Sequence, residues 1–197
     1  MKKKETIVKM DWRLFKKEAS RTFAVERFSG WNMHSTDHQK LNQLHCVIGI
    51  STEIIELMDA IVKKDDVNVK EEIGDILWYT ANLERLIGVR SKMPYDTKGI
   101  QVFPDEWLVG NTELLDHYKK AVYYGADVDK EYVGKHIEQI KKTCCGLAYN
   151  GSADIDDIMQ LNVDKLKARY PEKFTQEHAQ HRDLDKEREV LEGGGDA

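Results

Sequence analysis

The sequence predicts an all-α protein, and three observations carry that prediction. The 197 residues include only three prolines, at 94, 104 and 171, so long intervals lack a helix breaker. Within those intervals apolar residues recur at spacings of three and four, the period of one helix face. Alternation of apolar and polar residues, the mark of a half-buried strand, is nowhere sustained.

Taken in order, the periodic segments place helices near 11–28, 38–63, 68–89, 111–124, 128–148, 155–169 and 175–191. Irregular chain is expected at "SGWNMHST" and at "SKMPYDTKGIQVFPDEW", the latter with two prolines and a glycine. The last residues, 193–197, read as a frayed tail. Residues 1–192 are enough for one domain with a sizeable core, or one domain built from two similar halves.

Bulk properties narrow the function. A hydrophobic content of 41% and a charged content of 33% are ordinary for a soluble globular chain. The net charge of -5 gives no basic footprint for nucleic-acid phosphates. No run is long and apolar enough for a membrane span, and "MKKKETIVKM" has no apolar core behind its lysines. Cys46, Cys144 and Cys145 form neither a disulfide framework nor a zinc motif, which points to a reducing cytoplasm.

An internal echo appears at an offset of sixty. "TEIIE" at 52–56 lies over "TELLD" at 112–116, and "KEEIGD" at 70–75 over "KEYVGK" at 130–135. Six identities fall in 52–75, with Ile54/Leu114, Ile55/Leu115, Glu56/Asp116 and Ile73/Val133 as conservative matches. A degenerate duplication over 111–148 and the chance likeness of amphipathic helices both account for this. In a duplication, the second copy has exchanged Glu72 for Tyr132 and Asp75 for Lys135.

Two acidic pairs share a helical spacing: Glu53 with Glu56, and Glu72 with Asp75. With about 100° between residues, Glu53 and Glu56 project from neighbouring points opposite a broad apolar arc. Gly49, a turn earlier, is expected to leave that face open to a ligand. Glu72, Asp75, Tyr79 and Asn82 run along the flank of an apolar stripe formed by Val69, Ile73, Ile76, Thr80, Leu83 and Ile87. The link "KKDDVN" lets 38–90 pack as an antiparallel hairpin with its acid pairs facing. Like charges in one groove repel unless a hard divalent cation sits between them, and Mg²⁺ or Mn²⁺ on oxygen ligands fits that need. The competing reading is two solvated acidic faces.

The same stretch resembles the MazG-like all-α nucleoside triphosphate pyrophosphohydrolases. Their Glu-x-x-Glu…Glu-x-x-Asp signature stands as Glu53-Ile-Ile-Glu56, fifteen residues, then Glu72-Ile-Gly-Asp75. "HCVIGISTEIIELMDAIVKK" and "EEIGDILWYTANL" are similar to the family's two metal helices. "NVDKLKARYPEKF" at 162–174 is similar to a C-terminal segment of phage-type members, and "EASRTF" at 18–23 is a weaker echo. The resemblance covers roughly 38–90 and 155–190.

It implies a four-helix-bundle-type fold, with Glu53, Glu56, Glu72 and Asp75 ligating Mg²⁺ (Mn²⁺ substituting) and carrying catalysis. The substrate would be a (deoxy)nucleoside triphosphate, cleaved to monophosphate and pyrophosphate. Tyr79 would line the nucleoside pocket, with His45 and Asn82 on the same flank and Lys165 and Arg169 on the phosphates. Relatives are usually dimers or tetramers, so a homo-oligomer is expected in the cytoplasm, the host's if the chain is phage-encoded. The alternative is a non-catalytic nucleotide-sensing or protein-binding module on the same fold; a phosphoribosyl-ATP pyrophosphohydrolase fits the "KLKARYP" segment less well.

Other residues have quieter readings. His34 and His38 stand four apart without an evident third zinc ligand. Trp31, Trp78 and Trp107 suit base stacking or core packing. Cys144 and Cys145 suit a buried helix face. Lys135 and His136 would place positive charge opposite the acids if the two halves formed one bundle.

Overall fold

The computed structural model describes residues 9–23, 35–97 and 104–193. Among them every regular element is a helix: α1 (Trp12–Arg21), α2 (Ser35–Lys63), α3 (Asp66–Ile87), α4 (Pro104–Tyr123), α5 (Lys130–Asn150), α6 (Ile155–Arg169), α7 (Gln176–Gln180) and α8 (Leu184–Leu191). Trp31 and His34 lie outside the described residues, as does most of the irregular segment around them.

The local chemistry explains the boundaries. The α2–α3 link is only two residues long, with Lys64 in the left-handed region and Asp65 accepting from the Asn68 amide. Gly88, at φ 74°, ends α3 and returns its N–H to Glu84 at 3.1 Å. Helix α4 starts at Pro104, earlier than expected, because proline at a first helical position gives up an N–H that has no helical partner anyway. The single helix expected over 175–191 is instead two, because Asp183 caps a fresh start by accepting from the Lys186 amide.

Helices α2 and α3 form an antiparallel hairpin, and α4 and α5 form another; α4 packs on α2 and α5 on α3, completing a four-helix bundle. The α2–α4 pairing is antiparallel: Lys40 reaches the carbonyls of Ala121 and Ala126, while Asn111 donates to the Ser51 hydroxyl at 2.7 Å. Helix α3 is the centre, touched also by α1 and α6. Its inner face buries Ile73, Ile76, Leu77, Leu83 and Ile87, all at most 2% exposed. Removing that apolar surface from water supplies roughly 1.5–3 kcal/mol per side chain.

One polar knot interrupts this core. Glu84, fully buried, accepts from Lys16 at 2.6 Å, Trp12 Nε1 at 3.1 Å and the Ser91 hydroxyl at 3.0 Å. Lys141, equally buried, lies 3.6 Å from it and 4.7 Å from the Trp12 ring centre. The knot ties α1, α3, α5 and the segment after α3 together. Cys46, Cys144 and Cys145 are buried thiols.

Candidate active site

The hairpin brings the first acid pair and Glu72 to one point. One carboxylate oxygen each from Glu53, Glu56 and Glu72 lies within 4.8 Å of the others. They line a cavity of about 330 Å³ with Asp75, Glu71, Thr22, His45, Trp78, Tyr79, Arg169 and Arg182 among its walls. That size is at the lower end for small-molecule pockets.

Electrostatics mark the convergence as strained without a cation. Burial, then the Asp75 charge, pushes Glu53 up to about 7, with Glu56 adding to the rise. Burial, again followed by Asp75, pushes Glu72 up to about 9. Each of the two carboxyls also acts on the other, so ionising both at once is disfavoured without a countercharge. Three hard oxygen donors at this separation suit Mg²⁺ or Mn²⁺.

Asp75 is differently placed. It accepts from Asn162 Nδ2 at 2.5 Å and Lys165 Nζ at 2.6 Å, both on α6. Lys165 also reaches Glu71 at 3.1 Å. Burial alone would lower the lysine's pKa, but Asp75 and Glu71 reverse this and raise it, so it stays charged. Gly74 permits the approach of α6, since a Cβ there would sit 2.9 Å from Asn162 Cβ.

Several expectations change as a result. Lys165 is 1% exposed and lies against Asp75 and Glu71, so it faces the acids and not the cavity where phosphate oxygens would lie. Asn82 is also buried and is not among the cavity walls; it donates to the Trp78 carbonyl at 3.0 Å. Gly49 opens no path for a ligand, because the Tyr79 ring occupies the space its Cβ would need. His136 lies 3.6 Å from Glu113 and Lys135 pairs with Glu131, so neither faces the four acids.

His45 and Tyr79 do line the cavity. The His45 ring packs 5.5 Å from Phe23 and edge-on, 5.8 Å, to Tyr79. Trp78 joins the wall and anchors its indole N–H on the Thr22 hydroxyl at 3.0 Å. Trp107, in contrast, belongs to the core. The aromatic wall continues with Tyr170 and Phe174 from the link after α6. Arg21 of α1 fixes this link by donating to the carbonyls of Tyr170 and Glu172.

Arg169 lines the cavity and forks onto Glu187 of α8, with Nε at 2.8 Å from Oε1. Arg182 shares that carboxylate, Nη2 at 2.7 Å from Oε2. Burial would raise Glu187, but hydrogen bonds from Arg169 and then Arg182 bring it down to about 2. Sequence reasoning missed Glu71, Asn162, Tyr170, Phe174 and Arg182. Asn162, Tyr170 and Phe174 stand within "NVDKLKARYPEKF"; Glu71 hides beside Glu72, and nothing local distinguishes Arg182 from any surface arginine.

Comparison with curated proteins and with solved structures finds no match. The stretch that builds the acid hairpin, residues 42–93, matches the family model of the MazG nucleotide pyrophosphohydrolase domain.

Proposed function

We propose that the protein is a Mg²⁺-dependent nucleoside triphosphate pyrophosphohydrolase, releasing a nucleoside monophosphate and pyrophosphate. The observation that carries this is the meeting of Glu53, Glu56 and Glu72 oxygens within 4.8 Å inside a cavity that also holds aromatic and cationic walls. Glu53, Glu56 and Glu72 would hold the ion directly, and Asp75 completes the acidic set from its α6 mooring. When bound, Mg²⁺ supplies charge neutralisation at the phosphates and lowers the pKa of water.

The chain's own residues supply the rest. Glu56, the exposed member of the cluster, is placed to orient a water or accept its proton. Trp78, Tyr79 and His45 form a surface on which a base can stack. Arg169 offers N–H donors to phosphate oxygens. Hydrolysis adds water across the anhydride between the α- and β-phosphates. A pyrophosphate-release assay over a panel of triphosphates, with Mg²⁺ and with Mn²⁺, tests this reading. Glu53→Gln should cut turnover by at least about a hundredfold while helicity persists; retained turnover removes the assignment.

The same reading takes residues 111–148 as a degenerate second copy of the hairpin. Two things support it: α4 and α5 repeat the order of α2 and α3, and Ser51 bonds to Asn111, its own counterpart at the sixty-residue offset. Further assembly into a homo-oligomer is supported by Ile48, Ile55 and Val62, exposed at seven-residue intervals along α2. Sedimentation velocity tests the assembly.

A further inference from the structure

The C-terminal arm, residues 175–191, is more than a trailing segment. Arg188 donates to Asn68 at the start of α3 at 2.7 Å, and α8 packs on α6. Together with the Arg21 anchor on the preceding link, these contacts fix the arm beside the acid cavity. Two of its features bear on that cavity. Arg182, in the turn before α8, lines the wall. Glu187, only 3% exposed, gathers both Arg169 and Arg182.

One carboxylate between two guanidiniums leaves a net single positive charge on the rim of a cavity otherwise lined by five acids, Glu53, Glu56, Glu71, Glu72 and Asp75. A guanidinium has five N–H donors, and each fork onto Glu187 uses two, so three remain on each arginine. Two arginines together fill the acceptor sites of the Glu187 carboxylate, which fixes both guanidiniums at the cavity wall. Arg182, 41% exposed at its side chain and part of the cavity wall, keeps donors that Glu187 does not use and that an anionic ligand can take.

We infer that Arg182 and Arg169, held in register by Glu187, form a clamp for the terminal two phosphates of the substrate and therefore for the pyrophosphate product. Arg182 is a binding residue and Glu187 a positioning residue. The inference rests on the pyrophosphohydrolase reading for its substrate, yet its ligand is a simple anion that can be tested apart from turnover. A clamp on the far phosphates discriminates by tail length: it contributes to triphosphate and pyrophosphate binding and nothing to a nucleoside monophosphate.

The experiment uses the full chain with Mg²⁺ and titrates inorganic pyrophosphate, then a nucleoside monophosphate, by calorimetry. Arg182→Ala and Arg182→Lys are compared with the unaltered protein, after circular dichroism confirms their fold. Arg182→Ala should weaken pyrophosphate about tenfold and the monophosphate less than about twofold. Arg182→Lys should recover part of the loss, since charge returns without the fork. Glu187→Gln should weaken pyrophosphate in the same selective way. Equal weakening of both ligands, unchanged pyrophosphate affinity in Arg182→Ala, or no pyrophosphate binding by the unaltered protein each overturns the clamp. Absent triphosphate turnover with the selective loss intact would overturn the enzymatic reading and leave the clamp standing.

Discussion

Raising the pH in the absence of divalent cations should destabilise this protein, and the acid cluster sets the direction. Glu53 is held at about 7 and Glu72 at about 9, against an ordinary 4.5 for both. Above about pH 4.5 the folded chain therefore binds more protons than the unfolded one, so stability falls as pH rises toward those values. Each tenfold gain in proton affinity on folding corresponds to about 1.4 kcal/mol. For Glu53 the rise from 4.5 amounts to about 3 kcal/mol, reduced to about 2 because its side chain is partly open to water. In a chain of this size that is a drop in Tm of about 4–8 °C between about pH 5 and pH 8. Differential scanning calorimetry in EDTA measures it. Groups that titrate oppositely, such as half-buried His117 and buried Lys141, both lowered by desolvation, add a rise with pH. Comparison with Glu53→Gln cancels them. The variant should lose the share of the fall that belongs to Glu53 and keep that of Glu72, which burial and Asp75 still raise, and saturating Mg²⁺ should abolish the whole fall in the unaltered protein. Identical pH profiles for the two proteins, or a fall untouched by Mg²⁺, would refute the argument that unneutralised acids meet in this cavity.

Two further outcomes follow from the packing. Glu84→Gln strands the Lys141 ammonium without a countercharge in the core and should cost about 3–5 kcal/mol in urea denaturation, with most of it regained by adding Lys141→Met; a loss under about 1 kcal/mol would show the knot to be incidental. Gly49→Ala drives a methyl into the Tyr79 ring, and the strain of about 1–3 kcal/mol should exceed the helix-propensity gain of about 1 kcal/mol. Thermal melts should show a net loss, and triphosphate KM should rise several-fold as the aromatic wall shifts.

The helical architecture was legible because proline scarcity and a period near 3.6 are local properties. The placement of Glu53, Glu56 and Glu72 was legible for the same reason: i, i+3 spacing on two short-linked helices leaves little freedom. What escaped was every contact decided between distant segments. Lys165 looked like a phosphate ligand because it shares a face with Arg169, but only the docking of α6 on α3 reveals that Asp75 and Glu71 claim it. Gly49 looked like an opening because a missing side chain reads as space, and the ring that fills it comes thirty residues later. Asn82 sits at the right angle on α3 yet beyond the cavity, since the wall ends at Tyr79. Arg182 had no signal because its partner, Glu187, acquires meaning only once burial is known.

The hydrogen bond from Asn111 to Ser51 spans sixty residues, the offset of the proposed internal repeat. Assemblies built from separate identical subunits come apart on dilution; when the halves share one peptide chain, tethering makes their meeting independent of how many molecules are present. Under the proposed duplication, such a covalent union also frees each half to drift apart in sequence, so that one would keep its acids while the other, relieved of chemistry, would serve as its buttress.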